Sequence, residues 1–252
     1  MAEVPALVLR GLTKRFGTKV AVAGLDLDVP AGSFYGVVGP NGAGKTTTLS
    51  MATGLLRPDA GRAFVLGHDL WADPIAGKAR LGVLPDGVRL FDRLSGFELV
   101  RYAGLLRAMP RDVVETRSRE LIDALGLADA GSTLVVDYSA GMTKKIALAC
   151  ALVHAPRLLV LDEPFEAVDP VSGATIRSIL ATYVAGGGTV VLSSHVMDLV
   201  ERLCTHVAVI SAGQVLADGE LAAVRGAGTL EERFVDLVGG SPDLSASLDW
   251  LR

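Results

Sequence analysis

A chain of 252 residues is long enough to bury one large core, or a core carrying an inserted unit. Half of its residues are hydrophobic and its mean hydropathy is +0.43, but acids and bases are interspersed at a net charge of −4, so no basic stripe for a nucleic acid is laid down. The most apolar stretch, IALACALVHAPRLLVL, is broken by His154, Pro156 and Arg157 and falls short of the ~18 unbroken apolar residues of a membrane helix. Glu3 and Pro5 interrupt any basic-then-apolar leader, which points to a cytosolic chain. Cys150 and Cys204 sit in apolar surroundings without metal-ligand spacing and read as buried thiols of a reducing compartment.

The first thirty residues predict strands. ALVLRGL and VAGLDLDVP alternate with period two, placing Leu25, Leu27 and Val29 on one face and Asp26 and Asp28 on the other. FYGVVG reads as a buried strand that runs into the glycine-rich turn and helix of GPNGAGKTTTLSMATGLL, and GRAFVLG and LGVLP follow as short strands. From about Leu90 to His154 the pattern turns helical, in SGFELVRYAGLLRAM, RDVVETRSRELIDALGL and AGMTKKIALACALVH, with Val113, Val114, Leu121, Ile122 and Leu125 at helical spacing. Strands return in RLLVLDEP, GTVVLSSH and HVAVISAGQVLADG, separated by helices near 171–185 and 196–203, and LEERFVDLV predicts a last helix before a polar end. This order predicts an α/β core interrupted by a helical insertion.

GPNGAGKT, Gly39 to Thr46, has the spacing G-x-x-x-x-G-K-[ST] between a strand and a helix, which is what phosphate binding requires. Gly39, Asn41, Gly42 and Gly44 shape a loop whose backbone N–H groups can converge on phosphate oxygens at a helix N-terminus. Lys45 would reach the β- and γ-phosphates, the Thr46 hydroxyl would bind Mg²⁺, and Thr47 continues the loop. The buried run Leu158 to Leu161 delivers Asp162 and Glu163 at the end of a strand, the edge at which α/β sheets bind ligands. Asp162 is the candidate Mg²⁺ partner and Glu163 the candidate group that polarises the attacking water, a contribution of ~10²–10⁴ in rate. These residues describe an ATPase or GTPase core. YSAGM, Tyr138 to Met142, is a second small, polar stretch that opens a long apolar helix about a hundred residues later.

The order of phosphate loop, helical insertion, YSAGM, LLVLDEP, AVDP and VVLSSH resembles the nucleotide-binding subunit of ABC transporters over nearly the whole chain, and the YSxGM form with its basic helix is most like export-type systems with separate membrane subunits. The resemblance implies a P-loop NTPase (RecA-like) core with an N-terminal antiparallel β subdomain and an inserted helical subdomain. It divides the chain into 1–86 and 156–227 as the two parts of the ATP-binding core, 87–155 as the helical subdomain, and 228–252 as a C-terminal helix and tail. It implies ATP and Mg²⁺ as ligands, a second cassette and transmembrane permease subunits as partners, no nucleic acid, and a place on the cytoplasmic face of the cell membrane. Ser139 and Gly141 would contact the γ-phosphate bound to the other subunit, although Ser139 also suits a plain helix cap. Phe16 matches the aromatic that stacks on adenine, with a core position as the alternative. Asp169 matches the loop that communicates across the dimer, with an Asx turn before Pro170 as the alternative. His195 matches the switch histidine beside the γ-phosphate, and Ser194 before it suits a helix cap.

One position departs from the family pattern. Where the family places a Gln after LGVLP, this chain has Asp86, either a carboxylate serving the metal or the first residue of a tight PDG turn. Lys144 and Lys145 read as a solvated helix face, with a place beside a partner's phosphates as the alternative. Phe91 and Leu94 are expected as exposed apolar contacts for a membrane subunit. Two other readings stay open: a soluble ABC-type ATPase acting on DNA or ribosomes, and a regulatory cassette with weak hydrolysis.

Overall fold

In the computed structural model, which describes residues 4–87 and 89–239, two sheets share one core. The tail SPDLSASLDWLR lies outside the described residues. The chain begins with β1 (Leu7–Phe16), β2 (Lys19–Val29) and β3 (Phe34–Val38), then α1 (Lys45–Ala52), β4 (Ala60–Val65), β5 (His68–Asp69), α2 (Pro74–Ala79) and β6 (Leu81–Leu84). Three helices follow, α3 (Gly96–Leu106), α4 (Arg111–Ala124) and α5 (Ala140–Leu152), with two short 3₁₀ turns between the last two. The second half holds β7 (Leu158–Leu161), α6 (Pro170–Ala185), β8 (Thr189–Ser194), α7 (Met197–Leu203), β9 (His206–Ser211), β10 (Gln214–Glu220), α8 (Leu221–Arg225) and α9 (Leu230–Val238). No helix among the described residues is long and apolar enough to cross a membrane.

The alternation read in β2 is real: Leu25, Leu27 and Val29 are buried while Asp26 and Asp28 face solvent. That strand pairs antiparallel with β1 in a four-stranded sheet of order β2-β1-β4-β5. The central sheet has the order β10-β9-β3-β8-β7-β6 and is parallel except for β10. Its inner strands β3 and β7 are apolar and buried throughout because both faces are covered. Leu159 and Leu161 point toward α3, α4, α5 and α6, whereas Leu158 and Val160 point toward α1 and the antiparallel sheet. Each such side chain contributes about 1.5–3 kcal/mol relative to exposure, so one short run anchors both layers. The β10 edge is tied in by Tyr35, whose buried hydroxyl donates to the Asp218 carboxylate, and burial holds that carboxyl above its ordinary range.

Parallel pairing brings the C-terminal ends of β3, β8, β7 and β6 to one edge, in register through Val38↔Ser194, Leu161↔Leu192 and Leu84↔Leu161. That edge carries every motif read from the core strands. Two helices start on capping boxes: Ser95 with Glu98 at α3, and Thr229 with Glu232 at α9.

At the opposite end of β6, His154 Nε2 faces the Leu81 carbonyl at 3.1 Å and therefore donates, leaving Nδ1 buried with a lone pair and no partner. Burial, with Arg107 and Arg117 nearby, pushes the imidazole down to about 4. The unfolded chain then binds the extra proton first, so stability is full above about pH 6.5 and falls as the pH drops toward about 4. His154→Gln keeps a donor for Leu81 and is expected to remove this part of the acid sensitivity. Urea midpoints at about pH 7 and about pH 4.5 check it: the gap between them should narrow in the variant.

Candidate functional site

The phosphate loop leaves β3 at Val38 and enters α1 without a side-chain cap. Gly44 occupies the N-cap with φ 103°, and a Cβ there would lie 2.5 Å from the Ala21 carbonyl, so only glycine fits. The first-turn N–H groups of α1 are thereby left to a ligand, with the helix dipole adding partial positive charge. Lys45 is buried and its ammonium donates to the Gly39 carbonyl at 2.8 Å, so it sits inside the curl of the loop.

The loop opens on a cleft of about 410 Å³. Asn41, Gly42, Gly44, Lys45, Thr46 and Thr47 line its floor, and Asp86, Glu163 and His195 line the side toward β6, β7 and β8. Phe16, with Lys19 and Ala21, borders the other end. Phe16 is 52% exposed, with the Lys14 ammonium 5.8 Å from its ring centre, which excludes the core position and leaves a flat apolar face for a stacked ring.

Asp162 is buried behind this cleft. A smaller cavity of about 60 Å³ reaches it, bordered also by Thr46 and Asp86. The Ser193 hydroxyl on β8 donates to Asp162 Oδ1 at 2.5 Å and accepts the Glu163 N–H at 2.9 Å, so one hydroxyl holds both acids. Glu163 Oε2 pairs with His195 Nδ1 at 3.0 Å, joining the ends of β7 and β8 at side-chain level. The Ser194 hydroxyl accepts the Val196 N–H at 3.0 Å and caps no helix.

Ser139, Gly141 and Asp169 form a separate group that does not border the phosphate cleft. Ser139 is the N-cap of α5 and accepts the Met142 N–H at 3.3 Å. Asp169 is the N-cap of α6, accepting from Val171 and Ser172, and these bonds, led by the Ser172 side chain, hold its carboxyl below the ordinary range. A Cβ on Gly141 would meet Asp169 Oδ2 at 2.7 Å and Ser172 Oγ at 2.8 Å. The start of α5 and the start of α6 are thus packed together within one chain.

Asp86 is exposed, and its Oδ1 accepts the Gly87 N–H at 2.8 Å. It therefore makes the turn and also borders the cleft.

Three details differ from expectation. Lys145 is only 7% exposed, and the Lys144 ammonium donates to the Glu163 carbonyl at 3.0 Å, so the two lysines do not form a solvated face. Leu94 is turned inward against the core, whereas Phe91 is 61% exposed and packs edge-on against Tyr102 at 5.5 Å. Ser193 and Glu166 escaped the sequence reading; the only sign of the former was a polar pair closing an apolar strand.

Fold and site together define an ATP-binding cassette of the P-loop NTPase class. Residues 22–166 match the ABC transporter family. The daunorubicin/doxorubicin resistance ATP-binding protein DrrA of Streptomyces peucetius is 39% identical over 234 residues, 92% of this chain and 71% of its own length. The linearmycin resistance ATP-binding protein LnrL of Bacillus subtilis (strain 168) is 32% identical over 84% of this chain and 68% of its own length. Among solved structures, an ATP-binding subunit of an ABC transporter superposes with a TM-score of 0.85 at 26% identity, covering 92% of this chain and 99% of that one. The chain belongs to the ATP-binding subunits of the ABC transporter family.

Ser193→Ala strands the Glu163 N–H and removes a donor from Asp162, so it is expected to cost about 1–3 kcal/mol of stability and to lower ATP turnover more than ATP affinity. Urea denaturation, nucleotide titration and phosphate release check the three effects separately. An unchanged variant removes the hydroxyl from the site's support.

Proposed function

We propose that the chain is the ATP-hydrolysing subunit of an export-type ABC transporter, in which two cassettes close on ATP and separate transmembrane subunits carry the cargo. The observation that carries the reading is the separation, within one chain, of the phosphate cleft from the group formed by Ser139, Gly141 and Asp169. A chain with two half-sites completes neither alone, and a second cassette supplies the missing half of each. The 3.3 Å bond from Met142 to Ser139 is long enough to be exchanged readily for a bond to phosphate. In support, relatives of this chain bear names of resistance and export, including a Nod factor export ATP-binding protein of Cupriavidus metallidurans that is 35% identical over 85% of this chain. A dimeric ATP-binding cassette holding ADP and phosphate shares the fold with a TM-score of 0.78.

In this reading the loop N–H groups and Lys45 hold the triphosphate, and Phe16 stacks on the base, an interaction worth ~1–3 kcal/mol. Glu163, aimed by Ser193 and His195, polarises the attacking water, and His195 stands at the γ-phosphate. Asp169 links the start of α6 to YSAGM and so to the partner's site. The cleft itself carries Lys19 and Lys45 against Asp86, Glu163 and Glu166, a balance that calls for a cation beside an anionic substrate. The Thr46, Asp162 and Asp86 oxygens on the 60 Å³ cavity fit Mg²⁺, which when bound would neutralise charge developing on the phosphates. Residues 87–155 act as the unit that carries the half-site. Phe91 with Tyr102 would offer the membrane subunits an exposed apolar contact, in keeping with a cassette that works at the inner membrane face.

Glu163→Gln protein, its mass followed by light scattering, should be monomeric alone and double its mass with Mg·ATP. A monomer that binds ATP yet never dimerises overturns pairing between identical chains. Asp86→Gln should raise turnover and shift its Mg²⁺ dependence while nucleotide binding persists, because a full charge near the triphosphate acts with roughly 4 kcal/mol at ~4 Å and an effective dielectric of ~20. Unchanged rate and Mg²⁺ dependence would remove Asp86 from that role.

A further inference from the structure

The backbone of Glu163 is in an uncommon state. Its φ is +46°, a left-handed value that a non-glycine residue rarely adopts, and Pro164 follows it, which further restricts the residue before it to extended backbone. Such a conformation persists only where its surroundings over-determine it. Three hydrogen bonds hold it: the N–H donates to Ser193 Oγ at 2.9 Å, from the central sheet, and the carbonyl accepts from Lys144 Nζ at 3.0 Å, from α5, and from the Glu166 N–H at 3.2 Å, within the same turn. With both backbone ends anchored, the tetrahedral Cα fixes the direction of Cβ and so the aim of the carboxylate. Without Lys144 the carbonyl keeps only the bond from Glu166, which belongs to the same turn and can move with it, so φ and ψ can relax toward the favoured regions and the carboxylate swings away.

We propose that Lys144 is a positioning residue for Glu163, holding the left-handed backbone that aims the carboxylate and tying that aim to the placement of the helix that starts at YSAGM. The inference rests on the reading of Glu163 as the group that activates water. Lys144 lies on α5, one turn beyond Gly141, and a helix moves as a unit over so short a span. Whatever engages Ser139 and Gly141 therefore shifts the ammonium that holds Glu163 of the same chain. The ammonium shares a cavity of about 340 Å³ with Asp86 and Glu166, yet its hydrogen bond goes to the Glu163 carbonyl. A long, flexible side chain held this way gives up rotamer freedom that a solvated lysine keeps.

The test uses the full chain with three variants, Lys144→Met, Lys144→Arg and Glu163→Gln, and reads ATP turnover, nucleotide affinity and thermal midpoint for each. Lys144→Met is expected to lower kcat about 10- to 100-fold, the range a misplaced catalytic group produces, while KM and nucleotide affinity stay within about twofold. Lys144→Arg restores the donor and should recover most of the loss. In the Glu163→Gln background Lys144→Met should cause no further loss, because the group it aims is gone. An unchanged kcat, a loss confined to KM or affinity, or a loss that persists undiminished in the Glu163→Gln background overturns the proposal; the second would place Lys144 at a partner's phosphates instead. If Lys144→Met does not fold, Lys144→Gln takes its place in the same comparison. Wild-type turnover by Glu163→Gln would overturn the reading of Glu163 and this inference with it, whereas loss in Glu163→Gln with full turnover in Lys144→Met overturns the inference alone.

Discussion

The buried hydroxyl of Ser193 is the contact on which the geometry of this site depends. It accepts from one residue of the β7 end and donates to the residue before it, so the relative placement of Asp162 and Glu163 is set from the neighbouring strand. Its position follows from the parallel register that puts Leu161 beside Leu192. In strands that are apolar on both faces, hydrophobic alternation distinguishes one register from the next only weakly. A short hydrogen bond between a hydroxyl and a buried carboxylate distinguishes them strongly, because a slipped register would leave both groups unsatisfied in a low-dielectric interior. The polar pair at the end of β8 therefore serves register as well as chemistry.

The two helix starts of the chain differ in a way that fits two different tasks. Gly44 gives α1 no cap of its own, so the first-turn amides stay available, and the loop that precedes them is curled around a lysine rather than filled by it. Ser139 gives α5 a cap, but a long one, and Gly141 brings that start against Asp169 so closely that any larger residue would displace it. The first start leaves its donors unsatisfied by side chains, whereas the second satisfies one of its own.

Much of this was legible in the residues. The alternation of Leu25, Asp26, Leu27 and Asp28 marks a half-buried strand, and GPNGAGKT between a strand and a helix needs no tertiary information to be read. What escaped reading depends on tertiary contact or on too little chain. β5, α2 and α8 are too short to display a period. Lys144 looked like solvent-facing helix because its partner, the carbonyl of Glu163, is 19 residues away and is a backbone atom with no sequence signature. Phe16 could not be told from a core residue by its neighbours alone, and Leu94 could not be told from a surface one; each was decided by the element packed against it. Ser193 is the sharpest case, since nothing in the letters VVLSSH says which serine turns inward to meet Asp162.

Asp86 adds a negative charge to the cleft while it makes its turn. One carboxylate oxygen is already committed to the Gly87 N–H, a bond that the carbonyl oxygen of a Gln side chain could make as well, so the turn itself does not require an acid. The residue lines a cleft that already holds Glu163 and Glu166, and a cavity that reaches Asp162. An acid added to that set draws a divalent cation in and pushes an uncompensated triphosphate out, so the two effects oppose each other according to how much metal accompanies the nucleotide. The contribution of Asp86 to the cleft is therefore electrostatic, and its sign for a nucleotide depends on whether a cation comes with it.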